Sequence, residues 1–277
     1  MGRMTVDYRA QTVLLTGASS GIGASFAKAL AARGANLVVV ARRAERLEAM
    51  ADDLRRTTDA RIEVVPADLS RPTAAHELQQ AVADRGIRVT SLINNAGLGS
   101  FALFPGGDPG RLATEIAVDA IAPVRLAAEF LPQMVDAGNG FLVNLTSVSA
   151  YFPSPRMAVY GASKAFVLSF TESLWTELRG TGLTVFAVAP GATDTEFTTG
   201  MGADAGVLTA GKLRKPEDVV TTALRHLERR NPGPTVIDGR FNQVGVLMSR
   251  LMSRRRNALM MARVFNPDRR SPSRPAG

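Results

Sequence analysis

TVLLTGASSGIG, residues 12–23, decides the fold. Residues 12–16 form a short apolar, β-branched run that stops at a glycine, the pattern of a buried strand. Gly17, Gly21 and Gly23 follow with G-x-x-x-G-x-G spacing, and helical periodicity begins at Ile22. Without side chains there, the backbone can turn tightly and approach a pyrophosphate, whose charge would sit at the helix N-terminus. A lone glycine loop is a weak signal. One between the first strand and the first helix of an alternating chain is a strong one.

The alternation continues outward. Residues 36–41, 61–66, 89–94, 140–146, 183–189 and 234–237 read as six further strands. Helical spacing covers 22–33, 43–57, 72–85, 108–137, 157–179 and 216–230. Apolar strands without strict alternation, separated by helices, imply a parallel sheet covered on both faces. The expected fold is therefore α/β, a doubly wound (Rossmann-like) sheet of seven parallel strands. It is expected to fill one domain, residues 1–240. A basic amphipathic segment, 241–266, and a Pro/Ser/Arg-rich tail, 267–277, expected to be disordered, follow it.

Composition narrows the function. The chain of 277 residues has no cysteine, which excludes disulfides, thiolate catalysis and cysteine-ligated zinc. His76 and His226 lie far apart, outside any metal-ligand motif, and each is expected on a helix surface; no metal site is expected. The N-terminus shows no apolar signal segment, and every long apolar stretch is interrupted before about 18 residues, so a cytoplasmic location is expected. The net charge of +8 is concentrated at one end. Residues 249–277 carry eight arginines against Asp268, leaving the rest of the chain near neutral. The body of the protein is therefore not a nucleic-acid binder.

Tyr160 and Lys164 stand four residues apart on a predicted helix, so they share one face. The chain has only four lysines and three tyrosines, and no other tyrosine has a lysine at this spacing. An ammonium beside a phenol favours the phenolate, so Lys164 is expected to lower the Tyr160 pKa and suit it to proton transfer near neutral pH. Ser147 lies thirteen residues upstream. At the end of the second strand, Arg42 and Arg43 stand where an acid would bind a ribose 2′-hydroxyl. The arginine fork suits a 2′-phosphate instead, which favours NADP(H) and leaves NAD(H) open.

Together these pieces resemble the short-chain dehydrogenase/reductase superfamily, in its single-domain branch, over residues 12–237. Gly17, Ser19, Ser20, Gly21, Ile22 and Gly23 match its cofactor loop. Asp68-Leu69 matches the pair that touches adenine, and Asn94-Asn95-Ala96-Gly97 the motif after the fourth strand. Pro190, Gly191, Thr193 and Thr195 match the segment that meets the nicotinamide amide. The resemblance implies that Ser147, Tyr160 and Lys164 are catalytic. Tyr160 would exchange the proton, Lys164 would hold the nicotinamide ribose, and Ser147 would hold the substrate oxygen. It also implies a homodimer or homotetramer. One departure concerns the helix before the fifth strand, where alignment puts Asp119 at the family's usual asparagine. A backbone role would survive the change, whereas an ionised carboxylate nearby would raise the tyrosine pKa.

Substrate identity is expected from residues 98–104, 150–157 and 197–213. Their Phe101, Phe104, Tyr151, Phe152, Phe197 and Met201 point to a lipophilic carbonyl or alcohol. Residues 241–265 interleave apolar residues and arginines at helical spacing. Such a segment can make peripheral membrane contact, cover the pocket or meet a second subunit. The reading is an NADP(H)-dependent oxidoreductase; the alternative is a non-catalytic dinucleotide sensor on the same fold.

Overall fold

The computed structural model describes residues 6–201 and 213–266. The predicted tail, 267–277, and most of the third substrate segment, 202–212, lie outside these residues. Seven parallel strands form one sheet in the order β3-β2-β1-β4-β5-β6-β7. They are β1 Thr12–Thr16, β2 Asn36–Ala41, β3 Ile62–Pro66, β4 Ser91–Asn94, β5 Gly140–Leu145, β6 Leu183–Ala189 and β7 Thr235–Ile237. Chain order reverses between β1 and β4, so a crevice opens beyond their carboxyl ends. Leu14 faces Val38 on one side and Leu92 on the other, which fixes that register.

Helices cover both faces of the sheet. On one side, Val13 and Leu15 of β1 pack with Phe26 and Leu30 of α1 (Gly21–Ala31) and Leu47 of α2 (Ala44–Thr57). Val219 and Leu224 of α8 (Pro216–Leu227) complete that layer. On the other side, Leu14 packs with Leu78 of α3 (Ala74–Ala83) and with Phe130 and Met134 of α5 (Ala122–Ala137). Strands buried on both faces read as near-continuous apolar runs for that reason, and the buried polar exceptions are paired: Ser91 donates to Gln11 and Asn94 to Asn144, each at 2.8 Å.

A helix, α4 (Pro109–Ile116), leads into α5 through a π-helical turn, Ala117–Ile121, making one long interrupted rod. Asp108 caps α4 by accepting from the Gly110 N–H, with Pro109 at the first turn. Gly138, in the left-handed conformation at φ 67°, ends α5. The helix α6 (Ala158–Glu177) follows β5, and its buried face runs through Tyr160, Lys164, Val167, Leu168 and Thr171. A short α7 (Glu196–Gly200) follows β6. The last two elements among the described residues are α9 (Arg240–Leu251) and α10 (Arg254–Val264), so the predicted C-terminal amphipathic run breaks in two at Met252 and Ser253.

His226 departs from its expected place on the surface. It is buried beneath the Phe186 ring at 4.8 Å between centroids, and its Nε2 lies 2.9 Å from the Gly233 carbonyl. Burial, the largest cause, holds its pKa below the usual histidine value. Among the described residues no helix is long and apolar enough to cross a membrane, and no three His, Asp or Glu side chains cluster as a metal site.

Candidate active site

One cleft of about 910 Å³ crosses the carboxyl ends of the strands at the switch point between β1 and β4. All the cofactor-loop residues picked from sequence line it except Gly23, which is buried beneath the loop. A β-carbon on Gly23 would come within 2.2 Å of the Gly17 carbonyl oxygen, so α1 can approach the loop this closely only with glycine there. Gly17 and Gly21 have φ of +64° and +54°, which completes a cradle fitted to a pyrophosphate at the start of α1. Asn95 ties the loop after β4 to this cradle: its Nδ2 donates to the carbonyls of Thr16 at 2.9 Å and Gly17 at 3.2 Å. Ala96 and Gly97 continue the wall.

Arg42 and Arg43 line the far end with Asp68 and Leu69. Arg43 donates to Glu196 Oε2 at 3.0 Å and to the Ser19 and Ser20 hydroxyls at 3.3 Å each. Arg46 holds the other oxygen of Glu196 at 2.6 Å. The two arginines keep the Glu196 carboxyl below its usual pKa. Hydrogen bonds from Ser70 are the leading cause of a lowered pKa at Asp68, and Arg42 adds to it. A 2′-phosphate arriving here meets one open guanidinium, Arg42, and one, Arg43, that must be shared with Glu196. The residues thus fit a phosphorylated dinucleotide.

At the other end, Ser147, Tyr160, Lys164 and Asp119 converge. Ser147 is extended two residues beyond β5, where its Oγ accepts from the Ser149 N–H at 3.1 Å, and it opposes the rise of the Tyr160 pKa. Lys164 Nζ lies 5.5 Å from the Tyr160 ring centroid, donates to the Leu145 carbonyl at 3.3 Å and sits 3.7 Å from Asp119 Oδ1. The π-turn carries Asp119 fully into the interior, where Oδ1 accepts from the Leu98 N–H at 2.8 Å and Oδ2 has no partner. Burial lifts its pKa to about 6, with Lys164 opposing.

The expected lowering of the Tyr160 pKa is corrected by this arrangement. Its pKa is raised, first by burial and then by Asp119, with the Ser147 hydrogen bond opposing. The ammonium stands nearer to Asp119 than to the phenol ring and answers the carboxylate first. Pro190, Gly191, Thr193 and Thr195 form the wall after β6. Arg214 and Asp238 brace that wall: they pair through two 2.9 Å bonds, and the Arg214 N–H donates to the Ala192 carbonyl.

The sequence reading missed Glu115. It lines the cleft one helical turn before Asp119, is only 2% exposed, and leaves Oε2 without a partner. Burial raises its pKa. Glu115 and Asp119 form an i, i+4 pair of acids on one helix face, and only their burial tells that pair from a solvated one. Of the expected substrate residues, Phe152, Phe197 and Met201 line the chamber, and Phe101 packs behind Phe265 at 6.4 Å. Phe104 and Tyr151 do not line it, and Phe104 is exposed. Met157, Met261 and Phe265 complete an apolar cluster around Tyr160.

The pattern of the short chain dehydrogenase family matches residues 11–206. Sulfoacetaldehyde reductase of Chromohalobacter salexigens is 37% identical over 191 residues, 67% of this chain and 74% of that protein. A short-chain dehydrogenase from Sphingobium yanoikuyae, solved in complex with NADPH, is 36% identical with a TM-score of 0.77, over 87% of this chain and 94% of that one. The bulky-bulky ketone specific alcohol dehydrogenase from Comamonas testosteroni is 33% identical with a TM-score of 0.73, over 88% and 94%. The chain belongs to the short-chain dehydrogenase family and is an NAD(P)-binding oxidoreductase acting on CH–OH and C=O groups.

Proposed function

We propose that the protein is an NADP(H)-dependent carbonyl reductase for lipophilic ketones or aldehydes. The single observation that carries this is the two-ended cleft. One end has arginines beside a glycine cradle, and the other has a Ser–Tyr–Lys constellation inside an apolar chamber. The NADPH complex of the Sphingobium relative and the bulky-ketone specificity of the Comamonas relative support it.

When bound, the dinucleotide supplies a hydride to the carbonyl carbon. The chain's own residues do the rest. The Ser147 hydroxyl donates to the substrate oxygen and holds it beside Tyr160. Tyr160 gives that oxygen its proton: a phenol is protonated at neutral pH, and burial with Asp119 makes this one a weaker acid than usual, which the Ser147 hydrogen bond opposes. Lys164 positions the nicotinamide ribose and offsets the phenolate left behind. Met157, Phe197, Met201 and Phe265 exclude water.

Within this reading the enzyme acts in the cytoplasm as a homodimer or homotetramer. Ile116, Ile121 and Phe166, exposed on the adjacent rods of α4–α5 and α6, suit a subunit face. Peripheral membrane contact through the C-terminal segment belongs to the same reading.

One observation favours the sensor alternative. Asp119 competes with Tyr160 for Lys164, which weakens the catalytic pair. NADPH and NADH oxidation against a panel of hydrophobic ketones separates the two. Turnover with NADPH well above NADH supports the reductase. Cofactor binding without turnover of any carbonyl refutes it.

A further inference from the structure

We infer that α9 and α10 form a docking surface for an anionic lipid bilayer, and that the reaction cleft opens onto that surface. This deepens the lipophilic-substrate reading and rests on it. Each of the two helices has two faces. The inner faces bury Val246, Ser249, Asn257 and Met261, and Met261, with Phe265 just beyond α10, reaches the apolar cluster around Tyr160. The outer faces expose Phe241, Val244, Met248 and Leu251 along one stripe of α9, with Leu247 beside it and Leu259 on α10. Thirteen large apolar residues are exposed among the described residues, and eight of them lie on these two short helices. A patch this concentrated marks an interaction surface, whereas scattered single residues do not.

The charge identifies the occupant. Residues 239–266 contain six arginines and no acid. All six, at 240, 250, 254, 255, 256 and 263, are exposed, and none forms an ion pair among the described residues. A two-fold contact with a second copy would set this patch against itself and bring like charges together. Lipid headgroup phosphates answer the arginines, and the acyl region answers the apolar stripe.

The surface is also continuous with the cleft. Phe241, Met260 and Val264 are exposed and at the same time line the cleft, and Met261 and Phe265 lead inward from them to Tyr160. A ketone dissolved in the bilayer thus reaches the site along apolar side chains without crossing water.

The test uses the full chain and vesicles of phosphatidylcholine with or without phosphatidylglycerol. Its main variant is Leu247→Asp/Leu251→Asp, at two exposed positions that do not line the cleft. The parent is expected to co-sediment with the anionic vesicles and far less with the neutral ones. The double variant should lose more than about tenfold in affinity. Each arginine of 254–256 changed to glutamine should cost about five-fold at low salt. The double variant should turn over a short, water-soluble ketone as the parent does, which also shows that it is folded. Its KM for a long-chain ketone supplied in anionic vesicles should rise.

Equal sedimentation with both vesicle types, or unchanged binding by the double variant, overturns the proposal. Concentration-dependent self-association that Leu251→Asp abolishes assigns the face to a second copy and also overturns it. Lost vesicle binding with ketone turnover intact leaves the reductase reading standing. Intact vesicle binding with no turnover keeps the docking surface and removes substrate entry.

Discussion

Asp119→Asn changes one buried charge and little else, and its effect can be worked from the structure. The folded protein lifts the Asp119 pKa from an ordinary value of 3.8 to about 6. A raised folded pKa means that the folded state holds the proton more tightly than the unfolded chain. The stabilising contribution is therefore complete below about pH 4 and lost as the pH rises through 6. At 1.36 kcal/mol per pKa unit, the loss is about 3 kcal/mol. Asparagine keeps an oxygen to accept the Leu98 N–H and does not titrate. The variant should match the parent near pH 4 and exceed it by about 3 kcal/mol at pH 8. For a chain of this length that is a rise in Tm of about 5 °C. The same change removes one charge that raises the Tyr160 pKa, so the limb of the kcat/KM profile set by that residue should move to lower pH. Thermal melts of both proteins from pH 4 to pH 8 give the readout. A difference independent of pH, or a parent more stable at pH 8, would refute the reasoning.

Other positions give separate tests. Gly23→Ala puts a methyl group 2.2 Å from the Gly17 carbonyl, so the loop must move. NADPH affinity measured by fluorescence should fall more than about tenfold, with about 1–3 kcal/mol lost from chemical denaturation. Arg42→Ala should cut the preference for NADPH over NADH by about tenfold in kcat/KM and leave NADH kinetics nearly unchanged. Glu196→Gln frees Arg43 and removes a negative charge beside the same phosphate, so it should lower the KM for NADPH and not that for NADH.

Much of the fold is legible in the chain because parallel strands buried on both faces leave little choice of residue. Residues 12–16, 36–41 and 183–189 read as strands end to end for that reason. The site motifs are legible because they serve the backbone: a carbonyl 2.2 Å from where a β-carbon would stand permits only glycine at position 23. What the sequence hides depends on partners far along the chain. His226 stands next to Arg225 in sequence yet lies under Phe186, forty residues earlier. Tyr160 and Lys164 share a face as their spacing requires, but the charge balance between them follows from Asp119, which a π-turn delivers from another helix. Glu115 reads as an ordinary helical acid until Asp119 beside it is seen to be buried. The C-terminal arginines and methionines permit three roles by pattern, and only the packing of Met261 and Phe265 against the Tyr160 cluster puts the segment over the cleft.

The most direct test of the central claim compares the parent with Tyr160→Phe, following NADPH oxidation by absorbance with the best hydrophobic ketone and NADPH affinity by fluorescence. The account predicts turnover reduced by about 10²–10⁴-fold with cofactor affinity nearly unchanged. Turnover retained by the phenylalanine variant would contradict it, because the substrate oxygen would then be taking its proton from elsewhere.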